Sequence, residues 1–112
     1  MKTISLAFLI VVLIGMIGCS TQPAMQQPAV VARFQPVYPF EQKRQGISGE
    51  AQVEFVVDTE GNVRQARVVA ATNEAFGLSA LACIYKWKFK PGIVDGRPVN
   101  TKLQQSFTFA IN

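Results

Sequence analysis

The chain has 112 residues, a formal net charge of +4, two cysteines and no histidine. Without histidine, neither a Ser–His nor a Cys–His nucleophile can be assembled. Two cysteines are too few for a thiolate zinc site, so no enzymatic activity, metal or cofactor is expected.

The N-terminus reads as an export signal. Lys2 supplies a positive start, and residues 4–18 form an apolar run of 15, short against the roughly 20 residues needed to span a bilayer. The run ends Met16-Ile17-Gly18-Cys19, which resembles the lipobox of bacterial lipoproteins, although leucine is usual where Met16 stands. That resemblance implies cleavage after residue 18 and a diacylglycerol on the Cys19 thiol. An ordinary signal peptide and an uncleaved anchor are the alternatives. Ser20 after the cysteine is not an inner-membrane retention signal by the sorting pattern of such lipoproteins. The expected location is therefore the periplasm, lipid-anchored to the outer membrane, with an inner-membrane anchor as the alternative. Loss of Lys2 leaves ten basic and seven acidic residues. A mild basic excess in an exported protein suits peptidoglycan, lipid or an acidic protein, and not nucleic acid. Cys83 would be the remaining thiol, expected to be a small buried apolar residue without a disulfide.

Residues 19–32 are rich in Gln, Pro and Ala and uncharged, so they read as a flexible tether. Residues 33–112 then form one domain, large enough to fold but with a modest core. Its opening, Phe34-Gln35-Pro36-Val37-Tyr38-Pro39, is extended because residues before proline avoid the α region. Pro39 suits the first turn of a short helix over 40–45. Gly46 suits its C-cap, with Ile47 as the apolar contact.

Residues 50–58 alternate: Ala51, Val53, Phe55 and Val57 face one way, Gln52 and Glu54 the other. Residues 58–62, Asp-Thr-Glu-Gly-Asn, make a hairpin turn with Gly61 at positive φ. Asp58, Glu60 and Asn62 are spaced like calcium ligands, but the twelve-residue loop pattern fails where the chain runs into a strand. In the return strand, 63–71, Val63 has odd parity while Ala66, Val68 and Ala70 have even parity. All four face the core only if a β-bulge sits near Arg64-Gln65.

Thr72-Asn73 caps a helix over 74–86. Phe76, Ala80, Ile84 and Trp87 form one apolar stripe. Leu78, Leu81 and Tyr85 form a second, expected to be covered by residues 34–38 or by a second subunit. The stretch ALACIYKWKFKPG, residues 80–92, passes from helix period to strand period. Trp87 and Phe89 point to one side as core anchors and Lys86, Lys88 and Lys90 to the other, until Pro91-Gly92 stops the pattern. The lysines either keep an edge soluble or face an anionic partner. Residues 93–99 read as a loop around Asp95-Gly96. The last strand, 101–111, has Leu103, Phe107, Phe109 and Ile111 on one face and Lys102, Gln104, Ser106 and Thr108 on the other. The fold class is α+β, a small three-stranded antiparallel sheet in the order α-β-β-α-β, with a short N-terminal helix and one longer helix packed on one face.

These blocks together resemble one family. Val37-Tyr38-Pro39, the segment GISGEAQVEFVVDTEGNV, the segment ALACIYKWKFKPG, then DGRPV and SFTFAI, are similar to the C-terminal domain of TonB, the periplasmic energy transducer of Gram-negative bacteria. The resemblance spans residues 35–112. It implies a non-enzymatic module whose last strand, at a sheet edge, binds an extended segment of an outer-membrane transporter or another envelope protein by strand addition. Carried over, the partner-binding residues are Thr101, Leu103, Gln104, Gln105, Ser106 and Phe107, with the segment 33–38, Tyr38 in particular, as the other part of the partner surface and Lys88 and Lys90 as steering charges. Trp87, Phe89, Pro91, Gly61 and Pro39 would be structural. A full transducer also has a motor-engaging membrane helix, in which a histidine is thought to matter, and a long Pro-rich spacer. This chain shows neither, so it is expected to be the receptor-facing part alone. The alternative is an envelope-scaffold lipoprotein that binds peptidoglycan or self-associates as a homodimer, with no transport role.

Overall fold

The computed structural model describes residues 24–111; the leader and Cys19 lie outside the described residues. Its centre is an antiparallel sheet of β3 (Gly49–Val57), β4 (Val63–Ala71) and β8 (Thr101–Phe109) in the order β4-β3-β8. The alternation in β3 buries Ala51, Val53, Phe55 and Val57 on one face. Helix α2 (Glu74–Ile84) covers that face over β3 and β4. Phe76, Ala80 and Ile84 point inward from it and are fully buried. The Asn73 side chain accepts the Phe76 N–H at 3.1 Å, the cap expected from the sequence.

Trp87 follows α2 and is 2% exposed. Its ring meets Phe107 edge-on at 5.6 Å and lies 6.1 Å from Phe89. Phe76 stacks on Phe109 at 4.6 Å, and Tyr38 meets both rings edge-on at 5.7 Å. Aromatic rings therefore cover the inner face of β8, where α2 contributes Phe76.

The bulge expected in β4 is present. Glu54 pairs with Arg67 and Val56 with Arg64, leaving one extra residue in β4, and Gln65 takes φ 51°. A second irregularity follows, since Gln52 pairs with Ala70 but Val53 with Val68. It restores the original parity. Ala66 and Val68 touch the core, but Ala70 is exposed, contrary to expectation. Ala71 turns toward α2 instead, beside Gly77.

The β3–β4 turn is tied by Asp58. Its Oδ1 accepts the N–H groups of Glu60 and Asn62, both at 2.9 Å, and its Oδ2 accepts Arg64 Nε at 3.0 Å. The carboxylate is thereby committed to shaping the turn. Gly61 is required there: φ is +84°, and a Cβ would stand 1.9 Å from the Phe89 carbonyl oxygen.

Helix α1 (Phe40–Arg44) is shorter and more peripheral than expected, with none of its residues buried. Pro39 occupies the N-cap in an extended conformation, one position before the first turn. The helix closes in a Schellman motif, Gly46 N–H to Lys43 C=O at 3.1 Å and Ile47 N–H to Gln42 C=O at 2.8 Å.

Two stretches depart from the expected loops. Residues 92–99 form a hairpin of β6 (Gly92–Val94) and β7 (Arg97–Val99). Its tip is Asp95-Gly96, both at positive φ, the arrangement of a type I′ turn. Within the stretch read as a tether, β1 (Met25–Gln26) pairs with β6, and β2 (Ala29–Ala32) pairs with β5 (Lys88–Lys90). Uncharged residues with β-branched Val30-Val31 at their centre can satisfy two short unpaired edges, so composition alone is a poor guide there. Among the described residues no helix is long and apolar enough to cross a membrane.

Candidate binding edge of the sheet

The last strand is an edge strand. β8 pairs with β3 in unbroken register from Val57–Thr101 to Gly49–Phe109 and, among the described residues, has no strand on its other side. The backbone alternation shows which groups reach that side. Glu50 C=O accepts Thr72 N–H, and Asp58 N–H donates to Asn62 C=O, each at 2.9 Å. Even-numbered residues of β3 therefore face β4, and odd-numbered ones face β8. The pairs Ala51–Phe107, Val53–Gln105, Phe55–Leu103 and Val57–Thr101 are thus the hydrogen-bonded ones. By the same alternation Lys102, Gln104, Ser106 and Thr108 direct N–H and C=O to the free edge. One of these is already engaged: the Gln105 side-chain amide donates to Ser106 C=O at 2.9 Å.

This sorts the residues read from the sequence. Gln104 and Ser106 carry backbone groups on the open side. Thr101, Leu103, Gln105 and Phe107 use theirs on β3, and Phe107 adds a core ring.

A groove of about 340 Å³ runs between the end of β8 from Gln105, with Ala110 after it, and the extended segment of residues 33–38. Three bonds hold that segment. Phe34 C=O accepts Trp87 Nε1–H at 2.9 Å and the Cys83 thiol at 3.1 Å, and Val37 C=O accepts the Ser79 hydroxyl. Tyr38 lines the groove and donates its hydroxyl to Ile47 C=O.

Lys88 and Lys90 do not line the groove. They lie on β5, paired with β2. The cation in the groove is Arg33, its guanidinium 5.1 Å from the centre of the Trp87 ring. Arg33 opens the segment 33–38 that the resemblance implies as the other part of the partner surface, but it is not singled out there, since it follows an uncharged stretch and carries no periodic signal. The second apolar stripe is not covered by residues 34–38, which lie on the Ser79–Cys83 side of α2. Leu78 is 59% and Tyr85 48% exposed, while Leu81 rests on the core. The Tyr85 hydroxyl accepts Ala66 N–H at 3.0 Å, a donor that the bulge takes off the ladder.

Comparison with known proteins decides the family. The sequence pattern described as Gram-negative bacterial TonB protein C-terminal matches residues 34–111, well over half the chain. This chain belongs to the TonB C-terminal family. It is 36% identical over 97 residues to Protein TonB of Vibrio cholerae serotype O1, a match covering 84% of this chain and 40% of that protein. The chain thus spans about two fifths of that TonB's length. The fold is similar to the solution NMR structure of the Pseudomonas aeruginosa TonB CTD, with a TM-score of 0.66 and 25% identity over 78% of this chain and 89% of that one. Strands β1 and β2 lie outside the residues 34–111 that the family pattern matches.

Proposed function

We propose that this domain is a non-enzymatic periplasmic binding module that receives an extended segment of an outer-membrane transporter on the free edge of β8, in support of energy-dependent transport. The observation that carries the reading is the edge itself. Nine residues in unbroken register stand open on one side, and a groove runs beside them. An added strand would pair with Gln104, Ser106 and Thr108 through its main chain, displacing the Gln105 amide, while Tyr38 and Arg33 bound its far side. Lipidation of Cys19 would hold the module in the periplasm on the outer membrane, and intact-mass measurement of the membrane-bound protein tests that anchor. The binding test is calorimetric titration with a synthetic segment from the periplasm-facing end of an outer-membrane transporter. Saturable binding that Ser106→Pro weakens supports the reading; equal affinity for both folded proteins overturns it.

A self-associating scaffold is the second reading, favoured by the exposed Leu78 and Tyr85 on one side of α2. Light scattering separates it: a concentration-dependent dimer abolished by Leu78→Gln supports that reading.

A further inference from the structure

The cations of this domain divide into two sets. Among the described residues Arg44, Arg64, Arg67 and Lys102 each pair with a carboxylate. Arg33, Lys43, Lys86, Lys88, Lys90 and Arg97 have no such pair; Lys43 on α1 and Arg97 on β7 stand apart, and the other four gather where residues 86–90 meet the N-terminal strap. Lys88 Nζ donates to Asn62 Oδ1 at 2.6 Å, a neutral partner that leaves its charge uncompensated.

The β2–β5 register fixes how the lysines are presented. Ala29 stands opposite Lys90, Ala32 opposite Lys88, and Val30 opposite Phe89. Directly opposed residues share a face. Phe89 is buried and marks the inner face, so Lys88 and Lys90 project from the outer face opposite Ala32 and Ala29, with Val31 inserted at a register shift in β2. No acidic residue lies in β1, β2, β5 or β6. Met25 and Val31 in the same strap are 64% and 62% exposed. Uncompensated cations beside exposed apolar side chains suit the headgroup boundary of an anionic bilayer. A peptide strand is a poorer fit, because β2 already takes the edge of β5 that it would pair with. The chain also enters the domain along this ribbon. Ala24 C=O accepts Asp95 N–H at 2.9 Å. Cys19 is six residues before Met25, a span of at most about 20 Å when fully extended.

We propose that the outer face of the β2–β5 ribbon, bearing Lys88 and Lys90, docks on an anionic phospholipid surface. The choice of a membrane as partner rests in part on reading Cys19 as an anchor, and the test separates the two. The full-length protein purified from membranes is mixed with vesicles of phosphatidylcholine alone or with added phosphatidylglycerol. Surface amines are then acetylated, and each lysine is quantified by mass spectrometry. Docking lowers acetylation of Lys88 and Lys90 at least about fivefold on the anionic vesicles, leaves exposed Lys43 of α1 unchanged, and is reversed at about 1 M salt, where the screening length is near 3 Å. Association with phosphatidylcholine vesicles reports the anchor independently; its absence fails the Cys19 reading while lysine protection on anionic vesicles still stands. Equal acetylation of Lys88 and Lys90 on both vesicle types overturns the proposal. So does protection by polyglutamate in solution without protection on vesicles, which would assign the face to an acidic protein.

Discussion

The two edges of the central sheet are built oppositely. β4 is broken twice, with Gln65 at positive φ and a second extra residue before Ala70. Its arginines are tied down, Arg64 to Asp58 and Arg67 to Glu54, each at 3.0 Å. Its freed Ala66 N–H is taken by Tyr85. β8 has no bulge and a single charge, Lys102, which leans back to Glu54 at 3.4 Å. Bulges and charges are the usual means of keeping an edge from pairing with another chain. β4 carries two bulges and two arginines, β8 no bulge and one lysine, so the strand addition proposed above would have one side of the sheet to use.

The comparison assumes a sheet that survives changes at its margin, and Trp87 is where that assumption can be broken. The ring is buried against Phe107 and Phe89 and anchors residues 33–34 through its N–H and the Arg33 guanidinium. Trp87→Ala should cost about 3–5 kcal/mol, against a total of only about 5–15 kcal/mol for a domain. A urea midpoint close to wild type would show that the aromatic layer does not hold β8 in place.

Two prolines, one residue apart, sharpen the contrast within β8. Gln105 N–H points to Val53, so Gln105→Pro leaves a carbonyl unpaired inside the sheet and should cost about 1–3 kcal/mol. Ser106 N–H points to the open edge. Ser106→Pro should cost less than about 1 kcal/mol in stability while weakening a transporter-derived peptide by about tenfold, the loss of one main-chain bond at roughly 1.4 kcal/mol. Chemical denaturation and titration on both variants check this. The reverse order of stabilities would show that the alternation runs the other way.

Much of this was legible in the residues because period carries geometry. The strands, the Asn73 cap, the Gly61 turn, the first bulge and the buried Trp87 all follow from alternation, spacing or turn chemistry. The second bulge was hidden because Ala70 and Ala71 are both alanines, so either parity reads as apolar. The strap was hidden because β1 and β2 gain their bonds from β5 and β6, distant partners that a local pattern does not reveal. Residues 93–99 read as a loop although Asp95-Gly96 suits a hairpin turn, because its flanking strands are only three residues long. The candidate site was half visible. The edge strand could be named, but which of its residues face outward depends on the hydrogen-bond phase set at Glu50 and Asp58.

The blunted edge offers a gentler test at Gln65. A side chain at φ 51° carries a conformational cost that glycine avoids. Gln65→Gly should therefore stabilise the domain by about 0.5–1 kcal/mol if the bulge persists. A loss of stability would show that the Gln65 side chain itself supports the bulge.

The smallest effect belongs to the turn that joins the blunted edge to the centre. Backbone N–H groups, that of Asn62 foremost, and then Arg64 hold the Asp58 carboxyl below the usual carboxylate range. A lowered folded value means that the ionised form is favoured by folding. The stabilisation is therefore fully present above the ordinary carboxylate pKa of about 3.9 and is lost as pH falls through the lower, folded value. Asp58→Asn keeps an oxygen for the N–H groups of Glu60 and Asn62 but cannot titrate. The wild type should be the more stable at neutral pH, with the gap closing in acid. Glu41 and Glu54, also lowered by their arginine partners, titrate in both proteins and cancel in the difference. Urea midpoints of the two proteins at about pH 7, 4 and 2.5, values chosen to bracket the carboxylate range, check this. A gap that stays constant into acid would mean that the Asp58 charge contributes nothing to the turn, and that shape alone sets the blunted edge.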